Sequence, residues 1–245
     1  MALDTRTSLT VLPVTGVGEI EPGDDLAAVL AAAVGPSDDG VPALLDGDVV
    51  VVTQKVVSKA EGRIVPLDAA DPAAKVRLVE QESVRVLRRR GELLITETAH
   101  GFICANAGVD LSNVADGTAA LLPVDSDRSA RRLRAGLRRA LAVDVGVIVS
   151  DTFGRPWRQG VTDVAIGCAG VAAVVDLRGT VDALGRPLVA TEVCVADEIA
   201  AAAELVMGKD RGVPAAVVRG VPATWLRDGS VAGEVIRRSA DDLFR

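Results

Sequence analysis

Residues 145–154 read Val-Gly-Val-Ile-Val-Ser-Asp-Thr-Phe-Gly, and their reading decides the fold class. Five residues dominated by β-branched side chains predict a buried strand, which runs directly into a polar Ser150-Asp151-Thr152 turn. Just upstream, Asp125-Ser126-Asp127 caps a basic helix that reaches about Leu141. Further upstream, Asp46-Gly47-Asp48 turns into a second buried strand at 49–53, a valine run closed by Thr53. A polar connection at 54–61 follows, then a charged amphipathic helix over about 73–90 and a strand at 93–96. Residues 97–113 are rich in loops, and 121–124 is a short strand. Near the start, 8–14 is a strand whose Pro13 places it at an edge or end, and Pro22-Gly23-Asp24-Asp25 caps a helix at 26–33. Downstream come strands at 165–166, 172–176, 191–195 and 215–219, an Ala-rich helix at 196–207 and a short helix at about 232–244. Strands and helices interleave irregularly. The expectation is an α+β fold with mixed sheets and packed helices, forming one domain over 1–245, with two intertwined subdomains as a variant. No GxxxxGK[ST] loop is present and no GxGxxG follows a strand, so neither a P-loop nor a Rossmann fold is expected.

Composition narrows the function classes. The chain has 245 residues, 49% hydrophobic but only 2% aromatic, and no tyrosine. The core must therefore be aliphatic. A net charge of −7 argues against a nucleic-acid binder, which needs a basic face. The lysines are Lys55, Lys59, Lys75 and Lys209, against a large excess of arginine, so each lysine invites a question. Cys104, Cys168 and Cys194 are far apart and form no CxxC pattern, which suits buried thiols in a reducing compartment. The N-terminus lacks a basic start followed by an apolar block, and no segment approaches a membrane span. The chain reads as cytoplasmic.

Three segments can carry chemistry. In the first, Asp151 offers a carboxylate and Thr152 a hydroxyl or carbonyl oxygen, donors that suit Mg²⁺ or Mn²⁺. The same residues also read as a strand end closed by an Asx or ST turn. In the second, 105–113, small residues permit close approach to a ligand, and Asp110 and Asn113 carry polar groups. Asp110 equally reads as the cap of a short turn. The third, Thr53-Gln54-Lys55 through Lys59, sets two lysines after a strand. They are either phosphate-neutralising charges or part of a solvated loop. Gly16-Val17-Gly18-Glu19 is a glycine-containing loop after the first strand. His100 is the lone histidine, and a structural hydrogen-bonding role competes with catalysis.

Taken together, these stretches resemble one family. LPVTGVGEIEPGDDL at 12–26, DGDVVVVTQKVVSKAEGRIV at 46–65 and ITETAHGFICANAGVDLSNV at 95–114 are similar to the coenzyme F420-0:L-glutamate ligases, or gamma-glutamyl ligases. So are LLPVDSDRSARRLR at 121–134, SDTFGRPWRQGVTDVAIGCAG at 150–170 and VATEVCVADEIAAAAELVMGK at 189–209. The order and spacing of these stretches cover nearly the whole chain.

The resemblance implies a family-specific α+β fold and GTP-driven attachment of L-glutamate to the lactyl carboxylate of F420-0, with further gamma-linked glutamates in some members. It implies two divalent ions, Mg²⁺ or Mn²⁺, with K⁺ as activator, and a homodimer whose nucleotide site lies near the subunit interface. Metal positions fall on Asp110, Asp151 and Thr152. Nucleotide positions fall on Val17, Gly18, Glu19, Ile20, Gln54, Lys59 and Asn113, with a looser segment at 207–212. Asp110, Asp151 and Lys59 are the residues expected to carry catalysis, with Lys55 as an added cation and His100 or Glu97 as a base. No membrane or nucleic-acid partner is implied. The chain ends at Arg245, which leaves no room for the flavin domain fused to some actinobacterial relatives.

Departures from the family pattern stand at Gln54, where many relatives have Ser, and at Ala99, where many have a basic residue. Gln159-Gly160-Val161 replaces Asn-Gly-Gln, and an aromatic is common at Leu177. They leave open a diverged paralogue that ligates another amino acid or carboxylate, and a non-catalytic GTP-binding protein.

Overall fold

The valine run at 49–52 has no solvent exposure at any residue. A strand can be apolar on both faces only if both faces are covered, and this one lies inside a five-stranded sheet. The computed structural model describes residues 8–34 and 43–243. In chain order these form β1 (Thr10–Val14), α1 (Leu26–Ala33), β2 (Val49–Thr53), α2 (Gln54–Ala60), β3 (Ile64–Pro66), α3 (Ala74–Gln81), β4 (Ser83–Arg90), β5 (Leu93–Thr98) and β6 (Ile103–Ala105). They continue as β7 (Thr118–Ala120), α4 (Ser126–Leu141), β8 (Gly146–Arg155), β9 (Arg158–Ala169), β10 (Val175–Asp176), β11 (Glu192–Val193), α5 (Val195–Met207), β12 (Ala215–Arg219) and α6 (Val231–Glu234).

The main sheet has the order β1-β12-β2-β8-β9. Only β2 and β8 run parallel, with Thr53 beside Ser150 at their shared C-terminal end. Helix α4 packs on β8 and β9, and α5 lies along the strands of the same sheet. Smaller sheets, β3-β7 and β4-β5-β6, stand apart from it. Val79, Leu94, Ala107, Val109, Ala119 and Leu121 form a second apolar cluster there. The α+β expectation holds, and the arrangement is neither P-loop nor Rossmann. Among the described residues no helix is long and apolar enough to cross a membrane.

Several elements differ from the sequence reading. The Ser150-Asp151-Thr152 segment is not a turn. Strand β8 continues through it to Arg155 and pairs with β9, so the 165–166 strand is the inner part of a much longer one. The polar connection at 54–61 is helix α2, whose buried face includes Gln54 and Ser58 and so shows no apolar stripe. The helix expected at 73–90 stops at Gln81, and β4 follows. The period changes from helical to alternating after Glu82, where Val84 and Val86 fall two apart. The short strand lies at Thr118–Ala120, before Leu121. The strands expected at 172–176 and 191–195 shrink to the two-residue pair β10 and β11. The last helix is only Val231–Glu234, with a single 3₁₀ turn at Ser239–Asp241.

One close approach fixes how α4 meets the sheet. A Cβ placed on Gly167 of β9 would lie 2.2 Å from the carbonyl carbon of Ser126, at the start of α4. Backbone cannot swing aside as a side chain can. Gly167→Ala is therefore expected to cost about 2–3 kcal/mol, as overpacking does, read as a lower urea midpoint with unchanged slope.

Candidate active site

The site forms where the parallel pair β2–β8 ends. Helix α2 leaves β2 at that point, and β8 runs on past the sheet as one arm of the β8–β9 ribbon. The ribbon carries a bulge. Val149 pairs with Gly167 but Ser150 pairs with Ala165, which leaves Ile166 as the extra residue. A one-residue shift exchanges the faces of every following side chain. Here it sets Asp163 directly opposite Thr152, where an unbroken register would set Val164.

Asp151 sits at the centre. Protein atoms crowd its carboxylate, although the residue is not sealed from solvent. Burial pushes its pKa up to about 7, against the pull of the Thr152 N–H. The nearby charges of Asp163 and Asp110 push the same way, and Lys209 opposes them. The Thr152 N–H donates to Asp151 Oδ1 at 2.8 Å. Cys104 shares this environment. Burial, followed by the Asp151 charge, drives its thiol up to about 12, so it is no nucleophile.

Asp110 arrives from a distant loop. Residues 106–108 make a 3₁₀ turn with Asn106 and Ala107 at positive φ. Asp110 then forms a two-way backbone bridge with Ala120: its N–H donates at 3.0 Å and its carbonyl accepts at 2.8 Å. The next three carbonyls are each held from elsewhere. Leu121 O accepts from Gln54 at 2.9 Å and Ser58 at 2.6 Å, Leu122 O from Arg63 at 3.0 Å, and Pro123 O from His100 at 2.8 Å. These bonds hold the Asp110 loop in place against α2. On its side chain, Asp110 pairs with Lys55 at 2.8 Å and accepts from the Ser112 N–H at 2.7 Å. Burial alone would raise this carboxyl, but Lys55 and Ser112 hold it below its ordinary value.

Most of the residues expected from sequence meet here, with different roles. Lys55 and Lys59 lie one turn apart on α2; Lys55 reaches Asp110, and Lys59 contacts Glu19 of the 17–20 loop. In that loop Gly18 and Glu19 are exposed, Val17 is half-buried and Ile20 is buried. Asn113 is exposed, with φ of 53°. The Gln54 amide is 2% exposed and tied to Leu121 and Ser58, so it faces the interior. Ser150 is fully buried and donates to Asp163. Glu97 pairs with Arg85 at 2.8 Å.

The His100 bond to a carbonyl places its proton on Nε2 and leaves Nδ1 buried without a partner. The His100 ring stacks on Phe102 at 5.6 Å, and Phe102 meets Phe153 edge-on at 5.9 Å.

Two members of the site were not singled out from sequence. Asp163 accepts from Thr152 at 2.6 Å, and Lys209 reaches both of them. Two signals pointed toward Lys209, the scarcity of lysine and its place in the 207–212 segment of the resemblance, and none pointed at Asp163.

The oxygen donors of Asp110, Asp151 and Thr152 suit a hard divalent cation. Among the described residues no three His, Cys, Asp or Glu side chains converge into a ready cage. A cation here would complete its shell from water and substrate oxygens, as Mg²⁺ commonly does.

Comparison with known proteins identifies the family. The family model described as F420-0:Gamma-glutamyl ligase matches residues 16–220. A protein of Methanothermobacter thermautotrophicus named Coenzyme F420:L-glutamate ligase is 40% identical, over 97% of this chain and 99% of its own length. Relatives of the same name from Methanopyrus kandleri and Methanococcus maripaludis are 42% and 38% identical, over 97% and 82% of this chain and 98% and 86% of their own lengths. The match spans the main sheet, the Asp110 loop and the β8–β9 ribbon, and the chain belongs to the F420-0:gamma-glutamyl ligase family of enzymes.

Proposed function

We propose that this chain attaches L-glutamate to the carboxylate of coenzyme F420-0 at the expense of GTP. The observation that carries the reading is the gathering of scarce cations. Of the four lysines, Lys55 and Lys209 lie against the Asp110 and Asp163 carboxylates, and Lys59 stands one turn from Lys55. Lysines are point charges for phosphate, and this chain otherwise relies on arginine.

A carboxylate does not condense with an amine unaided, because oxide is a poor leaving group. In the proposed route a carboxylate oxygen of F420-0 bonds to the γ-phosphorus of GTP, and the bond to the β-phosphate oxygen breaks, releasing GDP. The glutamate amine then attacks the acyl carbon. Phosphate leaves, and the amine's proton passes to a base or to solvent. The protein supplies position and charge. Lys55 and Lys59 would face the phosphates from α2, and Asp110 and Asp151, with Thr152, would hold two divalent ions. When bound, Mg²⁺ or Mn²⁺ would offset phosphate charge. K⁺ activation and a homodimer belong to the same reading.

The test is direct: incubate the folded protein with F420-0, GTP, L-glutamate and Mn²⁺, then weigh the products. F420-0 heavier by one glutamyl residue, with one GDP per glutamate, is the expected result. Folded protein that makes no such product overturns the reading.

A further inference from the structure

Asp163 lies at the centre of the ribbon and is almost wholly buried. Its side chain is 1% exposed, yet it satisfies three donors. The Ser150 hydroxyl donates to Oδ2 at 3.0 Å, and the Thr152 hydroxyl and the Lys209 ammonium donate to Oδ1 at 2.6 Å and 3.0 Å. A buried carboxylate is retained only when it is paired and hydrogen-bonded. Glu204, one turn back on α5, takes the same ammonium at 3.3 Å, and Lys209 also contacts Thr152 Oγ1. The Lys209 side chain is nonetheless 56% exposed. Its charge is fixed from the protein side and open on the other. The Ile166 bulge produces this arrangement, because without it Asp163 would turn to the opposite face of the ribbon.

We infer that Asp163 is a positioning residue, which holds the Lys209 ammonium and the Thr152 hydroxyl beside Asp151 so that Lys209 meets the phosphoryl group being transferred. The inference rests on the proposed ligase reaction, and it gives the ribbon its purpose. Asp163 touches no substrate itself. It acts through two neighbours, one on its partner strand and one beyond α5.

The experiment compares Asp163→Asn, Lys209→Gln and the double variant in the full chain, by turnover and by site-resolved acetylation. Asparagine keeps the shape and loses the charge. Each single variant is expected to lose about a hundredfold in kcat, with KM for L-glutamate within a few-fold of the parent. The double variant is expected to be no worse than the poorer single, as for residues acting as one unit. Acetylation needs no activity. In the parent, Lys209 is expected to react several-fold more slowly, relative to Lys75, than it does in Asp163→Asn.

A merely structural carboxylate would lower the folded fraction and leave kcat per folded molecule unchanged. Unchanged kcat in Asp163→Asn, losses that multiply in the double variant, or unchanged Lys209 acetylation would each overturn the inference. If Asp163→Asn does not fold, Lys209→Gln decides, since its side chain is half exposed; full turnover there overturns the inference. A parent protein that makes no product refutes the ligase reading instead, and the acetylation ratio still tests the placement of Lys209.

Discussion

An Asp151→Asn protein is expected to be nearly inactive and, at pH 8, more stable than its parent. Both effects come from one carboxylate. In the unfolded chain Asp151 titrates near 3.8, and in the folded protein near 7. A carboxyl raised by folding adds stability while it is protonated in both states, below about pH 4, and that contribution is lost as pH rises to about 7. Above this the ionised group costs the fold a few kcal/mol, at about 1.4 kcal/mol per pKa unit. Asparagine keeps the acceptor for the Thr152 N–H, now at 2.8 Å, and removes the cost. The variant should melt several degrees above the parent at pH 8, with the gap closing toward pH 4. Under the proposed reaction kcat should fall about a thousandfold, as when a charge-stabilising group is removed. Mg²⁺ should raise the melting temperature of the parent and not of the variant. Turnover within tenfold of the parent would exclude Asp151 from the chemistry.

Asp127→Ala should show the reverse: a damaged fold with the site chemistry left in place. Asp127 lies in the first turn of α4 and is nearly buried. Its Oδ1 accepts from the Cys168 N–H at 2.8 Å and the Val231 N–H at 2.9 Å, and its Oδ2 from the Ala232 N–H at 3.0 Å. One side chain thus joins α4, the inner end of β9 and the start of α6. Alanine leaves three backbone donors without an acceptor, each worth about 1–3 kcal/mol when stranded. A loss of about 4 kcal/mol is expected, which corresponds to roughly 10 °C in a domain of this size. Asparagine should recover only part of it, because its amide must turn an N–H toward one of the donors. Urea unfolding with a lower midpoint and the parent slope is the check. A shift below about 1 kcal/mol would remove Asp127 from its place as a tie.

These two residues also show what the sequence makes legible. Asp127 was read as part of a cap, and the cap is real, but the Asp125 carboxylate makes it, accepting from Arg128 N at 2.8 Å. The reach of Asp127 to Val231, more than a hundred positions away, leaves no local trace. Asp151 was recognised as a carboxylate beside apolar residues, and the turn assigned to it was wrong. The bulge that orients its neighbours depends on one unpaired residue, Ile166, and no strand pattern marks it. Helix α2 was missed for a related reason: its inward face includes Gln54 and Ser58, whose polarity is cancelled by Leu121 O. Periodicity registers apolar burial and is blind to polar burial that is satisfied. The large elements were legible from local pattern: β2, α5 and β12 from their apolar runs, and α4 from its cap and basic run.

The held carbonyls of Leu121, Leu122 and Pro123 have a consequence for how this chain tolerates changes in length. Four successive residues, from Ala120 onward, are each bonded to a different remote element. An added residue anywhere among them would misalign every later bond, while one added at 114–116, upstream of β7, disturbs only the local turn in which Ala115 O accepts from Thr118. Insertions, affinity tags and reporter dyes therefore belong beside the exposed Ala115 and Asp116, and 120–123 form a segment whose length evolution and engineering alike must leave alone.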